Sequence, residues 1–152
     1  MPAQSQPNTP ALPVTFRPWL ATRVLAGLAI GVSVCLIGLA ILLPGIAARD
    51  RWAFVGFAVI VVVGLGFLAR PRVRADDDGL EVVNVWRRRH LDWAEVVAVR
   101  LGPGDPWLVL DLDDGTTAAA MGVQSADGER GQRVALQISA LLAARTATPR
   151  DD

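Results

Sequence analysis

Lysine and tyrosine are absent from this chain of 152 residues, and cysteine and histidine occur once each. A single thiol, Cys35, can form no internal disulfide. Neither it nor His90 has the companions a metal site needs, so no metal and no cofactor is expected. No nucleophile stands with a base in a recognisable motif, and no phosphate-cradling glycine loop occurs, so no catalytic residue is assigned and an enzyme is not expected. An excess of charge is also missing, since 15 arginines face 15 acidic residues. From Arg70 onward 11 arginines face 14 acids, a balance of −3, so the chain lacks the broad positive field of a nucleic-acid binder. Residues 1–18 (MPAQSQPNTPALPVTFRP) have little apolar surface to offset the entropy of ordering and are predicted as a disordered tail, and residues 147–152 are assigned as a C-terminal tail.

What the chain does have is two uncharged apolar runs, Val24–Leu43 and Trp52–Ala69. At about 1.5 Å per residue each reaches across, or nearly across, a hydrocarbon core of about 30 Å as a helix. Pro44-Gly45 separates them, and Arg70-Pro71 ends the second. Residues 19–70 therefore read as a two-helix transmembrane hairpin. The first run is longer than the apolar core of a signal peptide, about 7–15 residues, although Gly45-Ile46-Ala47 offers small residues where cleavage would fall. Arg17, Arg23, Arg70, Arg72 and Arg74 flank the outer ends, against Arg49 and Arg51 in the connection. That bias places both termini, and whatever follows the hairpin, in the cytoplasm. Trp19 and Trp52 suit the interface, where they anchor the hairpin together with Arg23, Arg70, Arg72 and Arg74. Gly27, Gly31 and Gly38 on the first helix, and Gly56 and Gly64 on the second, form small faces. Such faces permit close packing within the hairpin or a homodimer.

After Pro71 the apolar period becomes that of strands. Arg72–Ala75, Leu80–Val85, Arg87–Asp92, Glu95–Leu101, Trp107–Leu112 and Thr116–Met121 are six predicted strands. Asp76–Gly79, the surroundings of Trp86 and Gly102–Pro106 are the breaks, and Asp114-Gly115 predicts a two-residue hairpin turn with positive φ at both positions. Val134, Ile138, Leu141 and Leu142 then fall at helical spacing, with Ser125 or Asp127 as N-cap. Trp86, Trp93 and Trp107 are expected in the core or at its rim.

Strands closed by one amphipathic helix, with Asp78-Gly79-Leu80, Leu91-Asp92-Trp93-Ala94-Glu95-Val96 and Asp113-Asp114-Gly115 at their turns, resemble the bacterial pleckstrin-homology-like (PH-like) family. The resemblance is to its actinobacterial membrane-anchored branch, which includes low molecular weight protein antigen 6 of mycobacteria. It covers roughly residues 70–145. It implies an α+β domain over 71–146, an antiparallel, partly open β-barrel capped by a C-terminal helix. It brings no catalytic residue with it. PH domains that bind phosphoinositides carry basic residues around their first loop. Here Asp76-Asp77-Asp78 stand between the first two predicted strands and repel an inositol phosphate.

The concentrated basic run is Arg87-Arg88-Arg89-His90. It is a candidate contact for an acidic protein or for anionic headgroups, where each basic residue contributes about 1 kcal/mol; the plainer alternative is a solvated strand edge protected from aggregation. Asp111, Asp113 and Asp114 resemble a calcium loop in passing, but the position that requires a Glu is Gly122. The expected function is a multi-pass cell-membrane protein whose PH-like module recruits or organises a protein partner at the cytoplasmic face, with a lipid-headgroup sensor through Arg87–His90 as the alternative and a small enzyme as a remote third.

Overall fold

The computed structural model describes residues 10–146. They divide into two units, described separately here: the helical pair Trp19–Arg70, and a second unit made of the described residues up to Pro18 together with those from Pro71.

In the first unit, α1 (Trp19–Leu42) and α2 (Ala48–Leu68) are joined through Pro44 and Gly45, whose φ of 77° suits a residue without a Cβ. The second helix starts four residues earlier than its apolar run. Ala47 C=O accepts from the N–H groups of Asp50 and Arg51, so Arg49, Asp50 and Arg51 belong to the first turn and not to a loop. An acid in that turn suits the positive end of the helix dipole. Both helices are apolar on all sides, with mean hydropathies of 2.6 and 2.1, and are long enough to cross a membrane. Their side chains do not form a soluble core: Ile30, Val34 and Ile41 on α1 and Val59, Ile60 and Val63 on α2 are all exposed.

The second unit holds seven strands, one more than predicted. β1 (Val14–Phe16), β2 (Arg72–Ala75), β3 (Gly79–Val83) and β4 (Arg88–Asp92) form one antiparallel sheet in that order. β5 (Val96–Arg100), β6 (Trp107–Leu112) and β7 (Thr117–Gln124) form another. The expected disordered tail is thus corrected at Val14–Phe16: Val14 pairs with Ala75 and Phe16 with Val73, and Phe16 is buried. A three-residue alternation is too short to stand out in a polar, proline-rich stretch, and tertiary pairing orders it. Residues 1–9 and 147–152, also expected to be tails, lie outside the described residues.

Alternation along the strands fills one core. Val73 and Ala75, Leu80 and Val82, Leu91, and Leu108, Leu110 and Leu112 point inward, with Ile138, Leu141 and Leu142 of α3 (Glu129–Thr146) laid over them. The sheets meet without closing into one barrel. They approach closely at Gly122, where a Cβ would lie 2.5 Å from the Arg72 carbonyl carbon. Only glycine lets β7 cross β2 there.

Three local expectations are corrected. The hairpin after β6 is not a two-residue turn. Gly115 N–H donates to Leu112 C=O and Leu112 N–H to Thr116 C=O, and only Gly115 has positive φ (79°). This is the three-residue loop, a turn followed by a glycine bulge. At the start of α3, Ser125–Asp127 form a separate 3-10 turn, and Ser125 Oγ donates to Pro106 C=O, tying down a loop instead of capping the helix. Trp93 is buried and Trp107 half-buried, but Trp86 is 84% exposed on the turn between β3 and β4.

Candidate functional site

Strand pairing splits the basic run. Asn84 N–H donates to Arg87 C=O, closing the tight turn, and the ladder pairs Val83 with Arg88, Val82 with Arg89, Glu81 with His90 and Leu80 with Leu91. Because side chains alternate, Arg87 and Arg89 share the face of Leu91, which is fully buried. Arg89 on β4 and Arg87 in the turn just before it therefore lie on the same side as Leu91, and both are exposed. Arg88 and His90 lie on the outer face. There Arg88 is ion-paired with the largely buried Glu81, and His90 Nε2 lies 3.4 Å from Asp92 Oδ1. Among the described residues Arg87 and Arg89 are in no ion pair.

Arg87 and Arg89 line a cleft of about 180 Å³ together with Val82, Asn84, Thr117, Ala118 and Ala119. Its walls are the edges of the two sheets, since among the described residues β4 pairs only with β3 and β7 only with β6. Asn84 closes one end. Its Nδ2 donates to Ala119 C=O at 2.7 Å and its Oδ1 accepts from Met121 N–H at 3.0 Å, so one side chain stands in for a strand on β7. Asn84, Thr117 and Glu81 had drawn no attention in the sequence. A signal existed for Asn84, because asparagine is disfavoured in strands and here directly follows Val82 and Val83 of β3. The split of the arginines follows from the two-residue period alone.

The carboxylates have structural work. Asp76 Oδ1 accepts from the N–H groups of Asp78 and Gly79, and Asp76 C=O from Trp93 Nε1. Asp77 pairs with Arg145 at 2.6 Å, fastening the end of α3 to this turn. Glu95 Oε2 accepts from Asp92 N–H at 2.8 Å. Asp111 is held below the ordinary carboxylate range by its hydrogen bonds from Arg100, at 2.6 and 2.7 Å, and Arg100 is raised in return. Asp114 is lowered by the Thr116 hydroxyl, then by the Thr116 N–H and, among weaker causes, by the charge of Arg89. No cluster of three metal-ligating side chains occurs among the described residues.

In the helical unit Arg23 stacks on Trp19, 4.6 Å from the ring centre, and Arg70 on Phe67 at 4.7 Å. Trp52 is exposed near the start of α2. Arg72 and Arg74, expected as anchors, fall within β2. The glycine faces do not pack the hairpin. A Cβ at Gly27, Gly31, Gly38, Gly56 or Gly64 would meet no atom within 4 Å, whereas Ala40 and Ala58 are buried. Five helical glycines read as a packing stripe from spacing alone, but here the partner helix lies against other positions.

Residues 70–138 match the family model of the bacterial PH domain, to which this part of the chain is similar. Uncharacterised proteins of Mycobacterium bovis and of two Mycobacterium tuberculosis strains are each 30% identical over 94 residues, 62% of this chain. The match spans 61% of the length of those relatives. No solved structure matches the chain.

Proposed function

We propose that the protein is a membrane-tethered PH-like module that binds a protein partner at the cytoplasmic face of the cell membrane. The observation that carries the tethering is the pairing of β1 with β2. These strands are neighbours in one sheet, Phe16 opposite Val73, yet both apolar helices lie between them in the chain. A sheet cannot be divided by a bilayer, so the chain leaves and returns to the same side, and α1 and α2 cross together. The five-to-two arginine bias supports the cytoplasm as that side. Binding, and not catalysis, is supported by the family and by the roles of the polar groups: the lone histidine stands by Asp92 and the shifted acids by arginine and threonine partners, while the unpaired cations line a cleft. The test is crosslinking in native membranes, purification of the full chain in mild detergent, and mass spectrometry. A discrete protein retained in fixed proportion is expected. Retention of anionic lipid alone would replace this reading with a headgroup sensor, and retention of neither would refute it.

A further inference from the structure

We infer that the cleft between β4 and β7 receives an extended acidic segment of a partner protein, added as a strand to the edge of β7 with alternate acidic side chains on Arg87 and Arg89. The inference rests on the protein-binding reading above and names its site.

The β7 edge has hydrogen-bonding capacity to offer. The bond from Leu112 N–H to Thr116 C=O makes that pair a hydrogen-bonded one, so with Leu110 opposite Ala118 and Leu108 opposite Ala120 the intervening residues turn their main chain away from β6. Those residues are Thr117, Ala119 and Met121. Asn84 already engages Ala119 C=O and Met121 N–H. This shows that the edge accepts a strand-like partner and marks where such a partner must stop. The Thr117 N–H and C=O and the Ala119 N–H continue the same edge into the cleft, where none of the described strands lies beside them. Main-chain groups at an unprotected edge are what strand addition uses.

The opposite wall sets the side chains. Arg87 and Arg89 are two residues apart on one face, about 7 Å along the strand. An extended segment presents residues i and i+2 on one face at the same interval. Acidic residues at i and i+2 therefore meet both guanidinium groups while the main chain lies on β7. A single compact anion would meet the arginines and leave the edge unused. The slot is short, so binding is expected to be modest and salt-sensitive.

The test uses the full chain in phosphatidylcholine nanodiscs and a labelled six-residue peptide with acids at alternate positions. Its comparators are the same peptide with the acids as amides and the same peptide N-methylated along one edge. The acidic peptide should bind. The amide peptide, or the double variant Arg87→Gln/Arg89→Gln, should weaken binding about tenfold, the scale of two part-exposed ion pairs. N-methylation should abolish it, and an unchanged melting transition should show that the double variant folds. Equal binding of the acidic and amide peptides, or by wild type and variant, would overturn the inference. So would phosphatidylglycerol vesicles that displace the peptide through the same arginines, which would assign the slot to lipid. A photo-crosslinker at Thr117, and another at the exposed Leu136 on α3, separate this inference from the broader reading. One discrete protein captured in native membranes from Leu136 and not from Thr117 would remove the slot and keep the module. Capture from neither would remove both.

Discussion

Asp114 shows how much of this domain's charge is spent on turns. Its carboxylate accepts from the hydroxyl and the N–H of Thr116, and its pKa is lowered accordingly. A carboxylate depressed in the folded state adds stability above its unfolded pKa, near 3.8, that is lost as pH falls through the lower folded value. Asp114→Asn should therefore lower the melting temperature at pH 7. The gap to wild type should close as pH falls through the lowered folded-state value, when both side chains become uncharged. Melting curves across that range check it; a gap that persists at low pH would contradict the assignment. At the next residue, Gly115→Val should destabilise the domain by about 1–3 kcal/mol, read from denaturant midpoints, because a β-branched side chain resists φ near +79°. The need for glycine there was legible in Asp-Gly. The loop type was not, because two- and three-residue hairpins share that dipeptide and only the register of β6 on β7 separates them.

Among the elements, the one hidden from sequence reading is β1. Its three residues follow a proline-rich stretch and stand more than fifty residues from their partner strand, so no local pattern marks them. Most strands after Pro71 were legible because an apolar residue recurs at every second position, as in β2 and β6, while β4 has Leu91 alone and stood out by the turns around it. β7 runs three residues past its expected end, to Gln124, which pairs with Trp107 of β6. β1 closes one edge of its sheet and buries Phe16. A fragment of residues 71–152 should accordingly be less stable than one in which residues 10–18 are joined to residue 71 by a short glycine-serine linker. The difference should be about 1.5–3 kcal/mol, the scale of burying one phenylalanine. Urea titration of both fragments decides the matter, and equal midpoints would mean that β1 adds nothing. Neither fragment should respond to a chelator.

For the whole molecule, the insertion of the helical pair between two neighbouring strands is the feature with most consequence. The two apolar runs announced a pair of long apolar helices, and the arginine count is the basis for the direction proposed for them. Neither showed that the hairpin interrupts a domain, because that depends on β1. The candidate site was half legible. Arg87–Arg89 stood out by charge. Their division between a cleft and an ion pair with Glu81 depends on the pairing of β3 with β4, and the opposite wall of the cleft comes from a strand some thirty residues away. Sequence reads charge and period well, and reads contacts between distant strands poorly.

That insertion is tested most directly by the sidedness of single cysteines placed in a Cys35→Ser background: Thr15→Cys on β1, Ile46→Cys between the helices and Ala126→Cys before α3. An impermeant maleimide added to intact cells should label position 46 alone, and positions 15 and 126 should react together once the membrane is opened. Labelling of position 126 in intact cells, or of position 15 without position 126, would contradict a single domain with a membrane hairpin inserted between its first two strands.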